Sequence, residues 1–190
     1  MVTQHAFKGS PFLKEVLDET PGGEQLVHCL QCGTCGGSCP SGDAMSHTPR
    51  KIFAMINAGE RKEVLTSNTM WNCVSCYYCT SRCPQKIPIT DIMYSLKRIS
   101  ARSGLAKGTT APALAKSFTY WVEHYGRTFE IGLALMYYTF NKPIPLMKMG
   151  MSMGPKMFLR GRMGLLPTKI RNTQQLQAII KKAKELGGQS

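Results

Sequence analysis

Acidic residues, long apolar runs and stray cysteines are all scarce in this sequence. The longest apolar stretch, Ile131 to Phe140, has ten residues, against the ~18–20 that a transmembrane helix needs. Arg127 and Glu130 precede it and Asn141-Lys142-Pro143 closes it, so the expectation is a buried or interface helix and no membrane span. No secretory signal pattern opens the chain, which leads to a cytoplasmic, reducing setting in which structural disulfides are not expected. Only 11 Asp and Glu face 24 Lys and Arg, for a formal charge of +13. Such an excess favours acidic protein partners, nucleic acid or an anionic membrane. The basic residues are not interleaved with stacking aromatics, and no nucleic-acid motif occurs, so nucleic acid is not an expected partner. Missing too are a dinucleotide glycine fingerprint and a paired acid/base constellation. The chain reads as non-catalytic.

All 8 cysteines fall in two identical runs, Cys29, Cys32, Cys35, Cys39 and Cys73, Cys76, Cys79, Cys83. Each reads C-x2-C-x2-C-x3-C and ends in proline, Pro40 or Pro84. That is the bacterial-ferredoxin run for a [4Fe–4S] cluster, in which the fourth cysteine ligates the neighbouring cluster. The pattern assigns Cys29, Cys32, Cys35 and Cys83 to one cluster and Cys39, Cys73, Cys76 and Cys79 to the other. Three cysteines at two-residue gaps wrap a loop around one cubane. The longer gap and the proline then turn the chain away. Gly33, Gly36 and Gly37 would let backbone amides approach the sulfides. Disulfides are possible on count alone, but two tight identical runs argue against them. Zinc ribbons want two separated C-x2-C pairs, and thioredoxin-like chemistry needs a βαβ context. Eight thiolates and two cluster cores would bring the charge of the loaded protein to roughly +9.

The expected fold class is mainly α. Ser10-Pro11 signals a helix start, with Phe12, Leu13, Val16 and Leu17 on one face and Pro21-Gly22-Gly23 as the stop. Thr48-Pro49 opens a second helix, carrying Ile52, Phe53, Met55 and Ile56 and stopping at Gly59. A short segment around Val64 and Leu65 leads to Trp71 and the second run. Thr90 or Asp91 is expected to cap a third helix with Ile92, Met93, Leu96 and Ile99, ending at Gly104. Residues 105–117 read as a Gly/Ala/Thr/Pro linker, and Phe118 to Phe140 as helical with a break at Gly126-Arg127. Asn172 or Thr173 caps a final helix with Leu176, Ile179, Ile180, Ala183 and Leu186. The domain reading is 1–21 for an N-terminal helical segment, 22–104 for the cluster domain and 105–190 for a helical, basic docking region. The cluster domain is too short for a large apolar core, so the clusters are expected to staple it and the metal-free form to be largely unfolded.

Met147, Met149, Met151 and Met153, followed by Met157 and Met163, are interleaved with Lys148, Lys156, Arg160 and Arg162. Copper(I) binding by thioethers and core packing are alternatives. Gly150, Gly154, Gly161 and Gly164 argue against a regular core helix, which leaves an adaptable partner surface as the better reading. His5, His28, His47 and His124 are scattered. His28, beside Cys29, reads as solvent-facing rather than as a cluster-tuning group, and His124 lacks a second candidate for haem ligation.

The 33 residues between Cys39 and Cys73 look helical, and the whole resembles the α-helical ferredoxin domain of succinate dehydrogenase and fumarate reductase iron–sulfur subunits. Members of that family often lack one ligand and hold a three-iron cluster. All eight positions are cysteine here, so two [4Fe–4S] clusters are expected. Leu26 to Arg98 further resembles the C-type iron–sulfur subunits of heterodisulfide reductases and their bacterial Hdr-like relatives. The residues that carry this are Cys29-Leu30-Gln31-Cys32-Gly33-Thr34-Cys35, Ser38-Cys39-Pro40-Ser41-Gly42, Pro49-Arg50-Lys51-Ile52, and Trp71-Asn72-Cys73 through Cys83-Pro84. The resemblance implies an electron-transfer subunit of a hetero-oligomer, passing electrons between a flavin-containing, HdrA-like subunit and an HdrB-like subunit with CCG motifs. Tyr125-Gly126-Arg127 and the basic methionine-rich tail look more like the bacterial relatives, including those linked to sulfur oxidation. A free-standing dicluster carrier is the alternative, and a basic iron–sulfur module that binds nucleic acid is the remote one.

Overall fold

The computed structural model describes residues 9–106, 109–141, 155–161, 164 and 166–187. Among the described residues the chain is built from helices and turns, without a strand. It divides into two compact units, Met1–Thr109 and Thr110–Ser190, and each is described by itself.

In the first unit, α1 (Pro11–Glu19) starts as the sequence predicts. The Ser10 hydroxyl accepts from Leu13 N at 3.1 Å, and proline occupies the first turn. The same device opens α3 (Pro49–Ala58), where Thr48 Oγ1 accepts from Lys51 N at 3.4 Å. Gly59, at φ +81°, closes α3 in the left-handed conformation that glycine adopts without steric cost. A Cβ there would lie 3.2 Å from Ser10 Cβ, so the end of α3 and the start of α1 pass too closely for a side chain. The segment around Val64 and Leu65 is itself helical, α4 (Arg61–Thr66). Two one-turn helices, α2 (Thr34–Gly37) and α5 (Tyr78–Ser81), lie inside the cysteine runs. The long α6 (Ile89–Arg102) completes the unit.

The start of α6 differs from the sequence expectation. Neither Thr90 nor Asp91 caps it, because the helix begins at Ile89 behind Pro88. Thr90 is drawn inward instead: its N–H donates to Thr80 Oγ1 at 3.2 Å, and its hydroxyl lies 3.8 Å from Cys79 Sγ. The core is also larger than expected. Phe12, Leu13 and Val16 of α1 join Ile52, Phe53 and Ile56, Val64 and Leu65, Met70, and Ile92, Leu96 and Ile99 in one buried cluster. The spacing of these residues on α3 and α6 follows the helical repeat, so each helix turns one apolar stripe inward. Polar ties hold α1 to α6: Glu19 accepts from Arg98 Nε at 3.1 Å and from Arg102 at 2.6 Å, and Ser95 Oγ donates to the Glu19 carbonyl. Glu15 receives both Nε and a terminal nitrogen of Arg61, at 2.7 and 2.9 Å.

The second unit contains α7 (Ala111–Tyr125), α8 (Glu130–Asn141) and α9 (Thr173–Gly187). α7 begins inside the stretch read as a linker. Alanines favour helix and Pro112 stands in the first turn, where its missing N–H costs nothing. The expected break is present: Gly126, at φ +75°, ends α7. Trp121 packs against Tyr125 and Phe129 across that turn, with ring centroids 5.0 and 5.3 Å apart. Asn172 caps α9, its side-chain oxygen accepting from Gln175 N at 3.2 Å. A Lys184–Glu123 ion pair at 3.0 Å ties α9 to α7. Met147, Met149, Met151, Met153 and Met163, with Lys148 and Arg162, lie outside the described residues. Met157, Lys156 and Arg160 are exposed. No described helix is long and apolar enough to cross a membrane.

Candidate iron–sulfur centres

The first unit folds its two cysteine loops around two small cavities. Cys29, Cys32, Cys35 and Cys83 line the first, and Cys39, Cys73, Cys76 and Cys79 line the second. Each cavity thus combines three cysteines of one run with the last cysteine of the other. The helices add a matching pattern. Arg50 and Phe53, the second and fifth residues of α3, line the first cavity, and Thr90 and Met93, the second and fifth of α6, line the other. Ile89, 2% exposed, borders both, so the two sites share a wall residue.

Backbone conformation repeats as well. Gln31 (φ +55°) and Gly33 (φ +83°) flank Cys32, and Ser75 (φ +56°) and Tyr77 (φ +60°) flank Cys76. For a residue other than glycine a left-handed φ costs about 1–3 kcal/mol and persists at ligand clamps. Loops of this kind turn successive N–H groups into one concavity suited to an anionic group. Gly36 also passes close to α3's cap: a Cβ there would meet Thr48 Cβ at 3.2 Å. At Gly37 a Cβ would meet no protein atom within 4 Å.

The donor sets fit two cubanes. All eight thiols are free of disulfides. Among the described residues no three His, Cys, Asp or Glu side chains converge as they would on one ion. A tetrahedral zinc site needs that convergence, whereas a cubane takes one thiolate at each of four separate irons. In the metal-free thiol form, burial and then the charge of Cys29 push Cys35 up to about 11. Burial also raises Cys39. The Thr34 hydroxyl lowers the exposed Cys32. Ligation removes these protons, so cluster binding and folding are coupled.

The loop that carries Cys39 is stitched to the segment ahead of Cys73. Asn68 Oδ1 accepts from Ser46 N and Oγ, both at 2.7 Å, while Asn68 and Asn72 donate to the Ala44 carbonyl. Thr69 Oγ1 donates to the His47 carbonyl and accepts from His47 N. These contacts bring Cys39 across to the second run. Sequence reading missed Asn68, Thr69 and Asn72, since polar residues before a motif carry no signal of which loop they hold. It also missed Gln31, whose Nε2 donates to Cys29 Sγ at 3.4 Å. Aligning the two runs residue by residue would have singled out Gln31, opposite Ser75. His28 is exposed, as expected, and His124 Nδ1 lies 2.8 Å from the Tyr120 carbonyl.

Each site opens beside exposed apolar side chains. Cys32 is exposed beside Leu30 in the first cavity's lining, and Cys76 is exposed beside Val74 and Tyr77 in the second's. Leu30 and Val74 hold equivalent places in the two runs, and both are 64% exposed.

Comparison with known proteins agrees with this geometry. The 4Fe-4S dicluster domain family matches residues 25–87. The C-type subunit of the H(2):CoB-CoM heterodisulfide,ferredoxin reductase of Methanothermobacter marburgensis is 41% identical over 83 residues, 44% of this chain and 45% of that protein. A C-type iron-sulfur subunit of the CoB--CoM heterodisulfide reductase of Methanocaldococcus jannaschii is 40% identical over 102 residues, 52% of each chain. The C-type subunit of the Ferredoxin:CoB-CoM heterodisulfide reductase of Methanosarcina mazei is 40% identical over 85 residues, 45% of this chain and 52% of that one. The chain spans about half the length of the curated relatives it matches. The cluster-bearing segment matches the 4Fe-4S dicluster domain family and is similar to the C-type iron–sulfur subunits of heterodisulfide reductases, and its eight cysteines suit two [4Fe–4S] clusters.

Proposed function

We propose that the chain is the electron-transfer subunit of a heterodisulfide-reductase-like complex. In this reading Cys29, Cys32, Cys35 and Cys83 ligate one cluster, and Cys39, Cys73, Cys76 and Cys79 ligate the other. Electrons pass between an HdrA-like flavoprotein and an HdrB-like, sulfur-active subunit in the cytoplasm. The observation that carries the reading is the pair of four-cysteine cavities that share Ile89 as a wall residue, each opening at its own apolar rim. Two adjacent redox sites with separate exits suit a relay, and exposed apolar residues around them suit docking. The C-terminal unit, which includes the basic tail, is read as the docking region. Its departure from the methanogen pattern favours a bacterial-type complex of sulfur metabolism.

When bound, the clusters supply one-electron storage without proton chemistry. The chain's own work is to space them, to exclude water through Ile89, Phe53 and Met93, and to present Cys32 and Cys76 near the surface. The reading is tested with Cys76→Ala in the assembled complex. One cluster should be lost or converted and electron flow through the complex should stop, while the partner flavin stays reducible. Unchanged turnover in that variant would refute it.

A further inference from the structure

The near-symmetry of the two centres makes their differences informative. At the position before the second cysteine, Gln31 turns its amide onto Cys29 Sγ at 3.4 Å. Its counterpart Ser75 turns away and pairs with Tyr94 Oη at 2.7 Å. Two residues after the second cysteine, Thr34 Oγ1 lies 3.4 Å from Cys32 Sγ and becomes the donor once that sulfur is a thiolate. Its counterpart Tyr78 is held under Arg82, 5.5 Å from the ring centroid. On the second residue of the flanking helix, the first centre has Arg50, its Cδ beside the Gly33 position. The second centre has Thr90, whose contact with Cys79 Sγ is longer at 3.8 Å. The second centre does have a cation nearby. Lys97 Nζ, however, donates to the Cys73 carbonyl at 3.3 Å and lies 4.9 Å over the Tyr94 ring, and the same rim carries the acidic Asp91 beside Tyr77.

Reduction adds one negative charge to a cluster, so donors to sulfur and nearby cations favour the reduced form. We propose that the Cys29/Cys32/Cys35/Cys83 centre is the higher-potential of the two, set so by Arg50 and Gln31. An electron entering at the Cys39/Cys73/Cys76/Cys79 centre therefore runs downhill to it. The second centre loses one electron and the first gains one; no bond forms or breaks and no proton moves. This rests on the ligand sets given above and adds an order to them.

The experiment is an EPR-monitored redox titration of the cluster-loaded chain. Arg50→Gln should lower the higher of the two potentials and leave the lower in place. The expected size is at least tenfold in the equilibrium between the centres, or 59 mV for one electron. Gln31→Leu should move the same potential in the same direction by less, and it decides the matter alone if Arg50→Gln fails to load. Lys97→Gln should lower only the lower potential. The order is overturned if Arg50→Gln or Gln31→Leu moves the lower potential, or if both leave the higher one fixed. Iron and sulfide content of each sample reports separately on the ligand reading. Fully loaded variants with unmoved potentials refute the order alone, whereas a wild-type chain that loads one cluster refutes the ligand sets.

Discussion

Truncating Ile89 should release both clusters together. Ile89 is 2% exposed, opens α6 and borders both cavities. Ile89→Ala removes three carbon groups worth about 0.8 kcal/mol each. The residual cavity brings the loss to about 3–4 kcal/mol, within the range for such core truncations. That is roughly two to three orders of magnitude in the equilibrium for opening the site. An iron chelator under native conditions reads this directly, as bleaching of the cluster absorbance with EPR following each centre. Both signals should decay in step, far faster than in the parent. Phe53→Leu, which touches only the first cavity, should speed the loss of one signal. If Ile89→Ala loses a single cluster while the other decays at the parental rate, the shared wall inferred from these cavities is wrong.

Asn68→Ala removes three hydrogen bonds between the Cys39 loop and the segment before Cys73. With partial exposure these are worth about 1–2 kcal/mol together, and the Cys39-containing centre should bleach first in the same chelator assay. Gly59→Ala forces a left-handed alanine against Ser10; the unfolding free energy from denaturant titration should fall by about 1–2 kcal/mol with both redox potentials unchanged. Hydrogen bonding from Arg61 holds the Glu15 carboxyl below its ordinary 4.5. Burial pushes Glu19 up, but the bonds from Arg102 and Arg98 outweigh it and leave it lowered too. Their stabilisation is therefore present above about pH 4.5 and fades as pH falls through the lowered values. Glu15→Gln with Glu19→Gln should cost up to about 1 kcal/mol at neutral pH, given the exposed arginines. Helicity followed by circular dichroism should then show a shallower decline on acidification than in the parent.

Much of this arrangement was legible in the sequence because its signals are local. Ser10-Pro11 and Thr48-Pro49 fix helix starts through a hydroxyl and a ring that act within one turn. Gly59 and Gly126 mark helix ends through the one conformation they take easily. The cysteine spacing was equally direct, since the loop around a cubane is itself a local structure. What the sequence left hidden is tertiary. Thr90 looks like a cap and instead packs toward Cys79 and Thr80, because the helix already has a start one residue earlier. The ties from Glu15 to Arg61 and from Glu19 to Arg98 bind α1 to elements more than forty residues away. No short-range pattern records such pairs. The difference between Gln31 and Ser75 is visible as letters, but only the fold shows which of them reaches sulfur.

The central claim is that two four-iron clusters lie side by side in the N-terminal unit. The direct measurement is iron and acid-labile sulfide content, with EPR, on anaerobically purified and dithionite-reduced protein. About eight irons and eight sulfides per chain, with S = 1/2 signals broadened by mutual coupling, are the result this account requires. Zinc in place of iron, one cluster, or two signals with no coupling would contradict it.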